Sequence, residues 1–572
     1  MSAAAHEDRL RADPHRRLRA VVVIPARDEE SRIGACLRAL ADQEGVTSSD
    51  YEVIVVLDGC LDATAELIAG FAAGEPRLAL HTIELSAPQG VGRARRRGMD
   101  IACERLLSLG RGTGLIVSSD ADSVVAPNWL SAQLTLAAAG ARAIGGQIEL
   151  DPIEALELSP EAVSERRRRS SERLTAVRVR EVSGDDEGRT EHHQFSGASL
   201  ALTADAYREC GGLPVRAALE DEALELELQS LGIPIHRSRN VQVQTSARRD
   251  GRAPRGLARD LARSDWRARR SYRSGQFPLE RILEAKRETI ALVLPTREVA
   301  KTLGPIAATV AALAEVGLLD EVLVVDAGSP DGSARVAAEA GLRVLQEDDI
   351  ASELGPARGK GDAMWRALSM LESELVAFVD TDTDQFGEHF VTALLGPLIC
   401  EPEVQLVKGF FRRPFRTEQG LAPEGGGRVT ELLARPLLNL HAPELAVFDQ
   451  PLAGELAGRR GLLEQIPFPT GYGIEIAMLI DAWRIVGLEG MAQVDLGVRQ
   501  NRHQSLRELS AMAYAVLVAA STRLLGEDFA DAHACGSLLL PPLDGETQME
   551  PRRVPIEERP PLSEYRSRTA SR

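Results

Sequence analysis

Twice in this chain a short apolar run ends in two aspartates separated by one residue: LIVSSDADS at 115–123 and LVAFVDTDTD at 375–384. Four or five apolar and β-branched residues in succession read as a strand buried on both faces, the kind that parallel sheets contain. In open α/β sheets, ligands bind at the carboxyl ends of such strands. Alternation along an extended chain sets Asp120 and Asp122 on one side and Ala121 on the other, and likewise Asp380 and Asp382 around Thr381. Two carboxylates so placed can hold one hard divalent cation that keeps positions for water and for diphosphate oxygens. One such pair alone reads as a solvated loop end; two, each closing a buried strand at similar depth in its half, point to chemistry.

The flanking sequence repeats as well. VVVIPARDEESRIGACLRAL in the first half is answered by ALVLPTREVAKTLGPIAATV in the second, and VIVVLDGCLDATA by VLVVDAGSPDGSA. The first pair reads as a strand, a proline loop and a helix with apolar residues at helical spacing, the second as a strand and the start of another helix. The interval from proline to first aspartate is 95 residues in one half (Pro25 to Asp120) and 85 in the other (Pro295 to Asp380), too long for a solenoid repeat. The expectation is two α/β domains of one plan in tandem. One register difference stands out: Asp58 directly precedes Gly59, whereas Ala327 separates Asp326 from Gly328.

Composition narrows the partners. A chain of 572 residues exceeds one ordinary core. A net charge of −18 argues against nucleic acid as the main partner. The six cysteines, at 36, 60, 103, 210, 400 and 535, show neither a C-x-x-C pair nor metal-ligand spacing and read as reduced packing residues of a cytoplasmic protein. The most apolar helical stretch, 509–520, falls short of the roughly 18–20 residues a bilayer requires, so no transmembrane segment is expected. Arg93, Arg95, Arg96 and Arg97, at a loop-to-helix start after Gly90 and Gly92, have two readings: contact with a diphosphate, or a solvated face. The arginine-rich insertion between 150 and 194 likewise reads either as an anionic-acceptor surface or as a solvated helix.

The strings PARDEE, LDGCLDAT, SSDADS, GASLALTADAYRECGGLP and EDEALELELQSLG, within residues 20–245, resemble a family 2 glycosyltransferase domain. The resemblance implies that Pro25, Ala26, Arg27, Glu29 and Asp58 line a nucleotide-sugar pocket. It also implies that Asp120 and Asp122 serve the metal and that Asp221 is the base, against the reading of 220–222 as an acidic first helical turn. In the second half, GPARGKGDAMWRAL, VQLVKGFFRRPF, GGGRVTELLARPLL, PFPTGYGIEIAMLIDAW and QVDLGVRQNRHQSLREL resemble the glucosyl-3-phosphoglycerate synthases over about 290–525. That resemblance implies Mg²⁺ or Mn²⁺ at Asp380 and Asp382, and nucleotide-sugar contacts from Pro295, Asp326, Gly359, Lys360 and Gly361. It further implies acceptor contacts from Arg428, Thr430 and Arg499, and Glu475 at the reacting sugar. The chain departs from that family at Val299, where a glutamate is expected, in AGEL at 453–456, and at Asn501, where a histidine metal ligand is expected; His503, two residues on, is the substitute ligand considered.

The expected organisation is a polar tail (1–19), a glycosyltransferase A-type domain (20–246), a basic helical connector without strands (247–288), a second such domain (289–527) and a partly disordered tail (528–572). The expected function is metal-dependent transfer of a hexosyl group from a nucleoside diphosphate sugar to a small phosphorylated or carboxylated acceptor such as 3-phosphoglycerate. A homodimer is compatible with it. The alternatives are a bifunctional enzyme adding two sugars in sequence, or one active half beside a degenerate binding half.

Overall fold

The computed structural model describes residues 13–181, 190–216, 218–251, 255–383, 385–413, 415–417, 420–422, 427–499, 505–526, 528, 536–542 and 549–570. The chain divides into two compact units, Met1–Asp265 and Trp266–Arg572.

The first unit is built on an eight-stranded sheet. Its strands are β1 (Ala20–Ala26), β2 (Tyr51–Leu57), β3 (Leu80–Glu84), β4 (Leu115–Ser118), β5 (Ser123–Val125), β6 (Ala143–Leu150), β7 (Leu200–Thr203) and β8 (Ile235–Thr245), in the order β3-β2-β1-β4-β7-β6-β8-β5. The first four in that order are parallel, β7 runs antiparallel between β4 and β6, and β5 closes the edge antiparallel to β8. Every residue of β1 and β2 is buried, as the unbroken apolar runs require. Side chains alternate between two cores: Ala20, Val22 and Ile24 enter one, Val21 and Val23 the other.

The second unit repeats this order. It contains β9 (Ser271–Arg273), β10 (Ile290–Thr296), β11 (Glu321–Asp326), β12 (Arg343–Gln346), β13 (Leu375–Phe378), β14 (Leu406–Arg412), β15 (Phe415–Thr417), β16 (Gly420–Ala422), β17 (Leu456–Arg459), β18 (Phe468–Pro469) and β19 (Met491–Val498). The large sheet runs β12-β11-β10-β13-β17-β14-β19-β9. Position for position, β10, β11, β12 and β13 stand where β1, β2, β3 and β4 stand in the first sheet. The eighth place differs: β5 fills it in the first unit, and β9 fills it in the second, parallel to β19.

Two expectations need correction. The segment 247–288 contains a strand, β9, which uses only three residues and so left too short a pattern to read. Trp266, within that segment, is fully buried and its indole donates to the carbonyls of Leu488 and Met491 in the second unit. The apolar stretch read over 509–520 belongs to a longer helix, Leu506–Leu525, which is long and apolar enough to cross a membrane by length and composition alone. Here Val516, Ala519 and Ala520 enter the core, and its Arg523 pairs with Asp481 at 2.6 Å. In the C-terminal tail, Glu558–Arg559 pair antiparallel with β18, and the helix Leu562–Ala570 follows.

Candidate active sites at the carboxyl ends of the strands

In both units the proline loop is held by the same device. Asp28 and Glu298, each three residues after the proline, adopt positive φ of 50° and 52°. The next amide donates to a hydroxyl at the start of the following helix, Glu29 N to Thr64 Oγ1 at 2.7 Å and Val299 N to Ser333 Oγ at 3.0 Å. The amide after that donates to an aspartate two residues earlier, Glu30 N to Asp62 at 3.0 Å and Ala300 N to Asp331 at 2.9 Å. These four side chains were missed as site residues, although the paired strings DAT at 62–64 and DGS at 331–333 carry the signal.

The strand after the loop explains the register difference. Asp58 N and Ala327 N bond equivalent carbonyls, Ala26 and Thr296, so Ala327 occupies the place of Asp58. Asp326 is the last residue of β11, paired with Thr296 as Leu57 is with Ala26. One position apart along extended chain, the two aspartates project to opposite sides. Asp58 is buried with both oxygens taken by backbone amides, Gln89 N at 2.6 Å and Gly90 N at 2.9 Å. Asp326 is buried too, accepts from Ser329 N at 3.0 Å, and keeps Oδ1 without a hydrogen bond.

In the first unit the carboxylates are distributed between two arginines. Arg95, almost wholly buried, reaches Asp120 Oδ1 at 2.8 Å, Glu220 Oε1 at 3.2 Å, Ser118 Oγ at 2.5 Å and the Gly197 carbonyl at 3.0 Å. It is neither a solvated residue nor a free diphosphate contact. Arg96 instead holds the Gly211 and Leu213 carbonyls. Arg248 bridges Asp122 at 2.8 Å and Glu29, the latter through both oxygens at 2.7 and 2.9 Å. Burial, then the neighbouring Asp120 charge, push the Asp122 carboxyl up to about 6. Asp221 is the second residue of the helix Glu220–Ser230, which follows Leu219 at φ 61°, and accepts from Gly197 N at 3.1 Å and Glu222 N at 2.9 Å. Glu220, not Asp221, is the buried acid there. Arg27 is partly exposed beside Asp28. In the arginine-rich insertion, Arg168 and Arg169 pair along the helix Pro160–Glu181 with Glu165 and Glu172, a solvated ion-pair face.

The second unit concentrates its charges. Lys360 Nζ lies 2.6 Å from Asp380 Oδ1 and 3.0 Å from Glu475 Oε1. Arg499, 1% exposed, touches Asp380, Asp382 and the fully buried Glu455, and its guanidinium lies 5.1 Å from the centre of the Phe411 ring. One guanidinium nitrogen reaching both members of the D-x-D confirms that they share a side. Arg499, expected at the acceptor, is therefore turned onto the carboxylates. Burial alone would raise the Asp380 carboxyl, but Lys360 and Arg499 outweigh it and hold Asp380 at about 2. Lys408 is buried with Nζ 2.7 Å from the Ala453 carbonyl, and burial brings it down to about 8.

Glycine is obligatory around this cluster. A Cβ on Gly361 would lie 1.8 Å from the Pro469 carbonyl oxygen, and one on Gly454 would lie 2.2 Å from Lys360 Nζ. Thr430 is buried at the head of the helical turn Thr430–Ala434, with Arg428 partly exposed two residues before it. His503 and Asn501 lie outside the described residues. Pro25 pairs in register with Val56, and Pro295 with Val325. The acidic group Asp28, Cys60 and Asp62 is engaged in holding the proline loop, through Leu61 N on Asp28 and Glu30 N on Asp62.

A mixed sheet of this order, with paired aspartates beyond its central parallel strand and a proline loop beside them, defines a nucleotide-sugar-dependent glycosyltransferase. The model of glycosyl transferase family 2 matches residues 21–185 and 292–424, just over half of the chain, and the chain belongs to that family. Among its relatives, glucosyl-3-phosphoglycerate synthase of Mycolicibacterium smegmatis is 43% identical over 235 residues, 41% of this chain and 77% of that protein. Among solved structures, mannosyl-3-phosphoglycerate synthase from Rubrobacter xylanophilus is 44% identical, covering 53% of this chain and 99% of the other, with a TM-score of 0.49. Glucosyl-3-phosphoglycerate synthase from Mycobacterium tuberculosis, in complex with Mn²⁺ and UDP-glucose, is 35% identical, covering 52% and 98%, with a TM-score of 0.46.

Proposed function

We propose that the second unit transfers a hexosyl group from a nucleoside diphosphate sugar to 3-phosphoglycerate or a close analogue, using Mg²⁺ or Mn²⁺. The observation that carries this is the convergence of Asp380, Asp382, Glu455 and Glu475 on two contacting cations, Lys360 and Arg499. Asp380 and Asp382, which share a side, offer the hard oxygen donors that a divalent ion takes, and Lys408 and Arg413 stand beside Lys360 and Arg499 in the same cluster. Glu455 supports the fit, being fully buried with neither oxygen in a well-formed hydrogen bond.

In this reading Asp380 and Asp382 hold the ion, which when bound neutralises the diphosphate leaving group. Lys360 is placed by Asp380 and Glu475 so that its ammonium can turn to a phosphate oxygen. The close backbone approach at Gly359 and Gly361 keeps the loop narrow enough for a nucleotide to lie along it. Glu475 borders the sugar, and Arg428 with Thr430 offers a charge and a hydroxyl to the acceptor phosphate. The relative named above acts on the same acceptor class by its name, and the strings at 290–525 carry that resemblance.

The first unit, with each member of its D-x-D held by a separate arginine, favours a second reading for itself: a further nucleotide-sugar site, with Asp221 as base. Domain limits of 20–246 and 289–527 go with this proposal. Among the described residues every cysteine is free, which suits a reducing cytoplasm.

The test is transfer of labelled glucose from UDP-glucose to 3-phosphoglycerate, with and without chelator. The expected result is metal-dependent transfer that the double change Asp120→Asn with Asp122→Asn leaves within about threefold. Loss of transfer in that variant, in a chain that still folds, would move the activity to the first unit.

A further inference from the structure

The C-terminal segment lies against the loop that carries Lys360. Asp362, fully buried two residues after that lysine, receives Arg559 through Nε at 2.7 Å and Nη2 at 2.8 Å. The same carboxylate accepts from Arg358 N at 3.0 Å and from Arg366 Nε at 3.3 Å. It thus ties the backbone just before the G-K-G turn to a guanidinium almost 200 residues downstream. The neighbouring wall of the turn is fixed by the same segment: Thr470 N donates to the Glu557 carbonyl at 2.9 Å, and Thr470 Oγ1 reaches it at 3.0 Å. Pro469 and Thr470 are the residues whose carbonyls press on Gly361 and Gly359. Trp365, on the helix that Lys360 opens, donates to the Pro560 carbonyl at 2.9 Å and stands edge-on to Tyr565 at 5.0 Å.

We infer that the segment 555–565 is a strap of the donor site, and that Arg559 is a positioning residue which, through Asp362, holds the 358–361 turn so that Lys360 faces Asp380. This rests on the reading of that site as the place of a nucleoside diphosphate sugar. A bidentate guanidinium on a buried carboxylate fixes orientation as well as charge, which a lysine point charge does only in part. A turn released from Asp362 would still leave Lys360 tethered to its helix, but its ammonium would no longer be set at one position, and donor binding would suffer before acceptor binding.

The experiment uses the full chain and three single variants. Arg559→Met should raise the donor KM at least tenfold with the acceptor KM within about twofold. Arg559→Lys should recover a substantial part of the loss. Arg566→Met, which breaks the 2.7 Å pair to Glu464 elsewhere on the same tail, should stay within about threefold of wild type. Where Arg559→Met folds poorly, Arg559→Gln keeps a neutral donor beside Asp362, which Arg366 still holds at 3.3 Å, and the raised donor KM should persist in it. Calorimetry with UDP and Mn²⁺, on chains that all carry Asp120→Asn with Asp122→Asn so that only the second unit is read, separates the two layers of the inference. Equal binding by wild type and Arg559→Met overturns the strap alone, whereas no binding by the wild-type chain overturns the donor-site reading and the strap with it.

Discussion

Asp380→Asn is expected to reduce the rate of sugar transfer by a factor on the order of 10²–10³, the usual loss when a preorganised electrostatic group is taken from a transfer site. Both Lys360 and Arg499 reach this side chain, at 2.6 and 3.5 Å. Asparagine keeps the volume but loses the charge that orients both cations. The fold should tolerate the change: Lys360 retains Glu475, and Arg499 retains Asp382 and Glu455. The chain should melt lower by the stability that the charged Asp380 contributes, yet still fold, while turnover collapses, and steady-state kinetics beside a thermal melt checks both. Turnover within threefold of wild type would show that this carboxylate is not at the reacting diphosphate. The pH behaviour has a definite sign as well. Asp380 is held below its unfolded value, so its contribution to stability is present above pH 4 and is lost as the pH falls towards 2.

The sheet plan was readable because unbroken apolar runs such as VVVIP and VLVVD admit few alternatives, and because each recurred. The paired aspartates were readable for the same reason, with the facing of Asp380 and Asp382 following from alternation alone. What they touch was not. Arg95 looked like one of four equivalent arginines in a run, and only the packing of the helix Val91–Ser108 shows that it alone points inward to Asp120 while Arg96 turns to backbone carbonyls. Arg248 and Arg559 come from segments read as connector and tail, where charge patterns suggest solvent. Their partners, Glu29 and Asp362, are far away in sequence, and no local pattern encodes such a pairing. The one-residue register difference between Asp58 and Asp326 was legible in the sequence, and in a strand such a step reverses the side chain.

Arg499→Met is the most destabilising single change expected at the site. It removes the guanidinium from three carboxylates, and among the described residues no other cation is in contact with the fully buried Glu455. Breaking a buried ion pair from one side costs about 3–5 kcal/mol, because the remaining charge stays in a poorly solvated place. Methionine fills the volume over the Phe411 ring, so lost packing contributes little. The carboxylates left behind gain attraction for any divalent cation, and a ligand that binds only the folded chain stabilises it by mass action. Mn²⁺ should therefore raise the melting temperature of Arg499→Met by more than it raises that of the wild-type chain. A metal-free variant melting like wild type would mean that the contacts to Glu455, Asp380 and Asp382 are energetically idle. Equal stabilisation of both chains by Mn²⁺ would place the ion away from these carboxylates.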